Sequence, residues 1–305
     1  MGRTLLIGSQ TGVWRDWHRE ELASRDWVVL NPADAEGTCP GRFSLVRDGR
    51  VAAWRFAGSL DAMRSPHGTL AAATALLKAA SEDAVVEMFP FRLGPLRLQL
   101  ARLIVEAARP DRILIDRRTH FPVGGLTVLP EEVEVPDALP ESVRAGHRKA
   151  RWLQLFEQCE RHELVLKKVA LDGLRLGSGV PIPLENLRKF GFENPLHGES
   201  AGSNLLVVTD APVGDLEVTR ALDACHASKA HIVSPQDYEN LICAFSREGG
   251  DDFAQGRIER IRFEDGVAEV SANAVAPAIF DTLKVGSLRV DSEGRERGEL
   301  KPWEA

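Results

Sequence analysis

Long apolar runs are missing from this 305-residue sequence. None approaches the ~20 residues that a membrane-spanning helix needs, so no membrane association is expected. The opening MGRTLLIGSQTG holds an apolar run too short for a secretory h-region, and the cytoplasm is the expected location. Cysteine is scarce as well. Cys39, Cys159, Cys225 and Cys243 are scattered, with no C-x-x-C pair among them. That spacing argues against a zinc site or redox dithiol and predicts reduced thiols. A surplus of positive charge is absent too. Lysine and arginine number 38 against 45 aspartates and glutamates, a net charge of −7. A global basic field for nucleic acid is thereby excluded, though local clusters are not. The eight histidines show no HExxH or paired ligand spacing, so no metal site is predicted. Low-complexity segments and internal repeats are also lacking.

What is present is 44% apolar and 27% charged residues, an ordinary globular composition in a chain long enough for two domains. Thr4 to Ile7 is a short apolar run. A turn at Gly8-Ser9-Gln10-Thr11-Gly12 follows, then a charged, helix-compatible stretch from Val13 to Ser24, then the apolar run Trp27 to Leu30. Strand, glycine turn, helix and strand predict a parallel βαβ unit. Phe43 to Val46 and Ala52 to Phe56 flank Asp48-Gly49, a hairpin signal. Helices are predicted over 69–80 and 95–108, and strands over 84–87 and 112–116. This alternation implies a three-layer α/β domain over residues 1–130. Pro130 to Pro140 is acidic and proline-rich and reads as a linker. Residues 141–162 form a predicted helix carrying Arg144, His147, Arg148 and Arg151 at helical spacing. Beyond it, strands are predicted at 164–170, 205–209, 258–263, 267–271 and 287–290, with one helix near 217–227, so residues 163–305 read as mainly β.

Several segments carry a family resemblance by their shared order: Leu5 to Gly12 at the glycine turn, Cys39-Pro40-Gly41-Arg42-Phe43, Phe56-Ala57-Gly58-Ser59 with Ser65-Pro66, and Ala108 to Ile113. The arginine-bearing helix, Ala254 to Ile261 and Leu283 to Asp291 continue the series. Together they resemble the polyribonucleotide 5′-hydroxyl kinases, a family that includes a pre-mRNA cleavage factor subunit and a nucleolar rRNA-processing kinase. The resemblance implies a P-loop-like α/β domain over 1–130, a linker and lid helix over 131–162, and a β-rich C-terminal domain over 163–305.

An active phosphate loop has the form G-x-x-x-x-G-K-S/T, whose lysine neutralises phosphate oxygens and whose hydroxyl holds magnesium. Here three residues, not four, separate Gly8 from Gly12, and Val13 and Trp14 stand where lysine and the hydroxyl are expected. Gly8, Ser9, Gln10, Thr11 and Gly12 are therefore a degenerate candidate for cofactor binding. The resemblance sets the metal-holding strand end at Glu87, where the Thr-x-Gly turn has become Met88-Phe89-Pro90, and the acidic pair at Asp34 and Glu36. Arg15 is the nearest cation to the loop, and Arg148 and Arg151 lie on the lid helix. These six are vestigial candidates. The expected function is a catalytically degenerate kinase relative that binds RNA or an RNA-processing protein. The alternative is a live kinase using Arg15 and Glu87, with ATP and magnesium as cofactors.

A second alternative comes from Gly198-Glu199-Ser200-Ala201-Gly202, which matches G-x-S-x-G and is followed by Asp215, Asp223, His226 and His231. That motif needs a strand before it and a helix after it; here a loop precedes and a strand follows. Arg109, Arg112, Arg117 and Arg118 form a further cationic cluster, expected as a solvated edge. The six tryptophans have no interleaved basic stripe and are expected in the core.

Overall fold

The computed structural model describes residues 2–14, 25–34, 38–247, 251–273 and 280–300. The chain divides into two compact units, Met1–Trp152 and Leu153–Ala305.

The first unit is built on a seven-stranded sheet. Its strands are β1 (Thr4–Ile7), β2 (Trp27–Val29), β3 (Arg42–Arg47), β4 (Arg50–Phe56), β5 (Val85–Glu87), β6 (Arg112–Asp116) and β7 (Glu131–Val133), in the order β4-β3-β2-β5-β1-β6-β7. β2, β5, β1, β6 and β7 run parallel. The apolar runs read in the sequence are continuous because a parallel sheet is covered on both faces. Leu5 and Ile7 share one core with Val28, Val86 and Ile113, while Leu6 points to the other face with Val85 and Leu114. Helices α1 (Pro66–Ala79) and α2 (Pro95–Ala108) cover the first face through Ala73, Leu76, Leu100 and Ile104. Both begin on proline, whose fixed φ suits a first helical turn. Each leucine or isoleucine buried this way contributes about 1.5–3 kcal/mol.

β3 and β4 form the expected hairpin at one edge. Asp48 and Gly49 both take positive φ, 51° and 70°, as a two-residue turn matched to strand twist requires. The proline-rich segment after 130 differs from its reading as a linker. Residues 131–133 are β7, hydrogen-bonded to β6, and the acids of this segment answer the cationic cluster: Arg112 pairs with Glu131 (2.9 Å), Arg117 with Glu134 (3.6 Å), and Arg118 with Asp137. Opposite charges on adjoining edge segments draw the two together, which composition alone does not reveal. Helix α3 (Glu141–Phe156) ends six residues earlier than predicted, and the boundary between the units falls within it, after Trp152.

The second unit holds two sheets. β10 (Val180–Pro181), β11 (Pro195–Ala201), β12 (Asn204–Thr209) and β13 (Lys229–Val233) form one, with α4 (Leu184–Phe190) and α5 (Asp215–Cys225). β12, α5 and β13 make a parallel crossover unit. The other sheet runs β18-β17-β14-β15-β16-β8, from β8 (Cys159–Val165), β14 (Leu241–Ser246), β15 (Asp252–Arg262), β16 (Val267–Asn273), β17 (Thr282–Val290) and β18 (Glu296–Glu299), with β9 (Ala170–Asp172) beside β17. The expected fold class, a parallel α/β domain with a β-rich C-terminal region, is borne out. Among the described residues, no helix is long and apolar enough to cross a membrane.

Candidate functional site

In open α/β sheets, ligands bind outside the carboxyl ends of the strands. The first unit has a cleft of about 680 Å³ in that position. Its lining comes from the loop after β1 (Ser9, Gln10, Thr11), the segment after β2 (Ala33), the segment after β4 (Leu60, Asp61, Ala62), the segment after β5 (Phe89, Pro90, Arg92), the first turn of α2 (Arg97), and α3 (Glu141, Arg144, Arg148).

The loop after β1 is fixed by backbone bonds from the neighbouring strand end: the Phe91 N–H donates to the Gly8 carbonyl (2.8 Å) and the Met88 N–H to that of Leu6 (3.1 Å). Gly12 turns the chain with φ 76°. Val13 and Trp14 then fold inward, each 1% exposed, and join Leu6, Val85, Leu114 and Val135 in the core of the second sheet face. They pack tightly beneath the loop. A Cβ added at Gly8 would lie 2.8 Å from Val13 Cγ2 and 3.0 Å from Trp14 Nε1, so glycine is required there by close approach. A triphosphate with magnesium needs a lysine and a hydroxyl at the loop mouth. The side chains at these two positions are apolar in function and face the core. The residues present do not fit that grip.

The cleft's charge comes from elsewhere. Arg97 forks onto Asp61 (3.1 and 2.8 Å). Arg144 and Arg148 share Glu141, at 2.7 and 2.8 Å. Arg144 Nη1 also donates to the Thr11 carbonyl (3.4 Å), tying α3 to the loop. Burial alone would raise the Glu141 carboxyl, but hydrogen bonds and charge from Arg148 and Arg144 outweigh it and hold the group below the ordinary carboxylate value. Four arginines against two acids leave the lining cationic in a chain that is acidic overall.

The sequence candidates are partly gathered here. Ser9, Gln10, Thr11 and Arg148 line the cleft, and Gly8 and Gly12 bracket the loop. Glu87 is 3% exposed at the end of β5 and Asp34 is 5% exposed; neither is among the lining residues. Arg151 lies one turn beyond Arg148 and acts on Cys39, whose thiol is pushed up to about 11 by desolvation, against the opposing charges of Arg42 and Arg151. His147 is exposed. Arg15 and Glu36 fall outside the described residues. Asp61, Arg92 and Arg97 carried no sequence signal, because they come from irregular segments and a helix start that meet only through strand order. Among the described residues, no three His, Cys, Asp or Glu side chains cluster as metal ligands would.

The serine-hydrolase alternative is corrected by the second unit. Ser200 lies within β11, paired with Val180 and Leu205, rather than on a turn between strand and helix. The intervening strand β12 separates β11 from His231 on β13, and two strand spacings are about 9.6 Å. His226 caps α5, while Asp215 and Asp223 lie along it. Gly198 is needed for packing, since a Cβ there would meet Leu187 Cδ1 at 2.6 Å. Glu199 is 4% exposed and accepts the Gly177 and Gly179 N–H groups and a hydrogen bond shared with His197 (2.6 Å).

No protein-family model matches the chain. Over 242 residues it is 26% identical to a polyribonucleotide 5′-hydroxyl-kinase of Pyrococcus horikoshii, covering 74% of this chain and 63% of that protein. The match thus spans less than two thirds of the relative's length. In fold, it resembles a chain of a solved Clp1p–Pcf11p assembly described for ATP loss in a point mutant, with TM-score 0.55 and 9% identity over 94% of this chain and 75% of that one. A second Clp1p–Pcf11p complex matches with TM-score 0.53 and 11% identity, over 94% and 74%. The kinase-family resemblance read from the sequence is borne out by these likenesses.

Proposed function

We propose that this chain is a catalytically degenerate relative of the RNA 5′-hydroxyl kinases, acting by binding in RNA processing or as a scaffold. The observation that carries the reading is the inward packing of Val13 and Trp14 below the loop after β1. Phosphoryl transfer is almost entirely positioning plus charge stabilisation. A loop with Val13 and Trp14 at the positions of the lysine and the metal-holding hydroxyl loses both contributions at once. The sealed position of Glu87, outside the cleft lining, supports the same reading. The arginines that remain favour an anionic ligand. Similarity to a named polyribonucleotide kinase supports an RNA end as that ligand, and the fold likeness to Clp1p in complex with Pcf11p supports an RNA-processing protein as partner. The net charge of −7 argues against strong nonspecific RNA affinity.

A live kinase with a rearranged site is the second reading, favoured by the four cleft arginines, which would supply charge to phosphates. Titration calorimetry with ATP and GTP in the presence of magnesium separates the two. The expected result is no detectable heat at millimolar nucleotide. Magnesium-dependent binding, with ATP-dependent phosphorylation of a 5′-hydroxyl oligoribonucleotide, would overturn the degenerate reading.

A further inference from the structure

Helix α2 buries Leu100, Ala101, Ile104, Val105 and Ala108 against the first sheet face. Its other side carries Leu96, Gln99, Leu103 and Glu106, at the three- and four-residue steps that line one face of a helix. All four are exposed, the two leucines by 53% and 39%. Leu93, also exposed, precedes the helix, and Arg102 donates to the Gly124 carbonyl (3.0 Å), which holds exposed Val123 at the flank of this face. Of the eleven large apolar side chains exposed among the described residues, five fall between residues 93 and 129. Single apolar side chains on a surface are ordinary, whereas a row of them along one helix marks a contact.

The charges at the two ends of the row select what covers it. Arg92 stands before the N-terminus of α2 and Glu106 lies in its last turn; both are exposed, and neither has an ion-pair partner among the described residues. Each has the sign that its helix end disfavours, so nothing within α2 rewards it. The other nearby cations are committed, Arg97 to Asp61 and Arg102 to Gly124. A face with its cation at one end and its anion at the other is complementary to its own reverse. A partner helix of one charge sign would leave one end unmatched.

We propose that this face is a two-fold contact between copies of this chain. α2 packs antiparallel on α2 of a second copy, so that Leu96 meets the second copy's Leu103, Gln99 lies near the axis, and Arg92 faces the second copy's Glu106 at both ends. Arg92 also lines the cleft, which places one end of the contact at the cleft rim. The contact holds whether the cleft transfers phosphate or only binds.

The test is sedimentation equilibrium of the full chain over a wide concentration range. Wild type is expected to be a reversible dimer, and the double variant Leu96→Glu/Leu103→Glu a monomer throughout. Arg92→Glu or Glu106→Arg alone sets like charges together at both ends and should weaken association about tenfold. The double swap Arg92→Glu/Glu106→Arg rebuilds the complement and should return the wild-type constant to within about threefold. A wild type that is monomeric at every concentration overturns the proposal, as does a dimer that the leucine variant leaves intact. A double swap as weak as either single change overturns it too and assigns the face to a different protein. Should the leucine variant fail to fold, the charge series, made at exposed positions, decides by itself.

Discussion

Two segments of this molecule share a spacing, Gly8–Gly12 and Gly198–Gly202, and each spells something close to a catalytic motif. Their surroundings are opposite. The first follows a buried parallel strand and turns at its carboxyl end, beside a cleft, before the chain dives into the core at Val13 and Trp14. The second begins inside an antiparallel strand and closes at the β11–β12 turn, where Gly202 takes φ 56°. In the first, a glycine lets buried side chains come up beneath the loop; in the second, Gly198 lets α4 come down onto the strand. The letters are alike because in each segment the first glycine answers close packing and the second a left-handed turn. Topology alone decides which segment borders a cleft.

Four substitutions would break or sharpen the contrast. The largest effect is expected for Trp14→Ala, at about 3–5 kcal/mol of unfolding free energy by denaturant titration, since a fully buried indole is removed from the core. A cost below about 1 kcal/mol would mean that the loop is not anchored from below. Gly198→Ala should cost about 1–3 kcal/mol, because its Cβ must displace Leu187. Gly12→Ala meets open space and should cost about 1–2 kcal/mol through its left-handed φ alone. Equal thermal shifts from the fourth substitution, Gly8→Ala, and from Gly12→Ala would remove the packing argument at the first loop.

Glu199 offers a pH test. Burial would raise its carboxyl, but His197 and the Gly177 and Gly179 N–H groups outweigh burial and hold it below its usual value of 4.5. A carboxyl lowered in the folded state stabilises fully above its unfolded value and loses that contribution as pH falls through the folded one. The melting-temperature gap between wild type and Glu199→Gln should therefore narrow on titration from about pH 6 to about pH 3. A constant gap would contradict the clamp. The smallest effect belongs to Ser200→Ala, within about 0.5 kcal/mol, with no fluorophosphonate labelling of wild type to lose.

The parallel strands of the first unit were legible because both their faces are covered, which writes continuous apolar runs such as Leu5-Leu6-Ile7. The Asp48-Gly49 hairpin was legible from its turn chemistry. Strands β13 and β14 were not. Lys229-Ala230-His231-Ile232-Val233 mixes charge with apolar residues at one edge of its sheet, and Leu241 to Ser246 is a short, uniformly buried run whose Cys243 and Ala244 have weak strand preference. At the site, Ser9 to Thr11 and Arg148 could be found by motif and helical spacing. Asp61, Arg92 and Arg97 belong to segments that only the strand order brings together, and one-dimensional spacing holds no record of that.

The acidic, proline-flanked strand β7 has a consequence for company. It forms one border of the first sheet, and an open border offers unpaired backbone groups to any passing strand. Only three residues long, it lies between Pro130 and Pro136, and its Glu131 and Glu132 are exposed, with Glu134 just beyond. A second copy approaching this border would find acids already engaged by Arg112 and Arg117 and prolines where the ladder should lengthen. The border is thus closed to extension by its shortness, its flanking prolines and its own ion pairs.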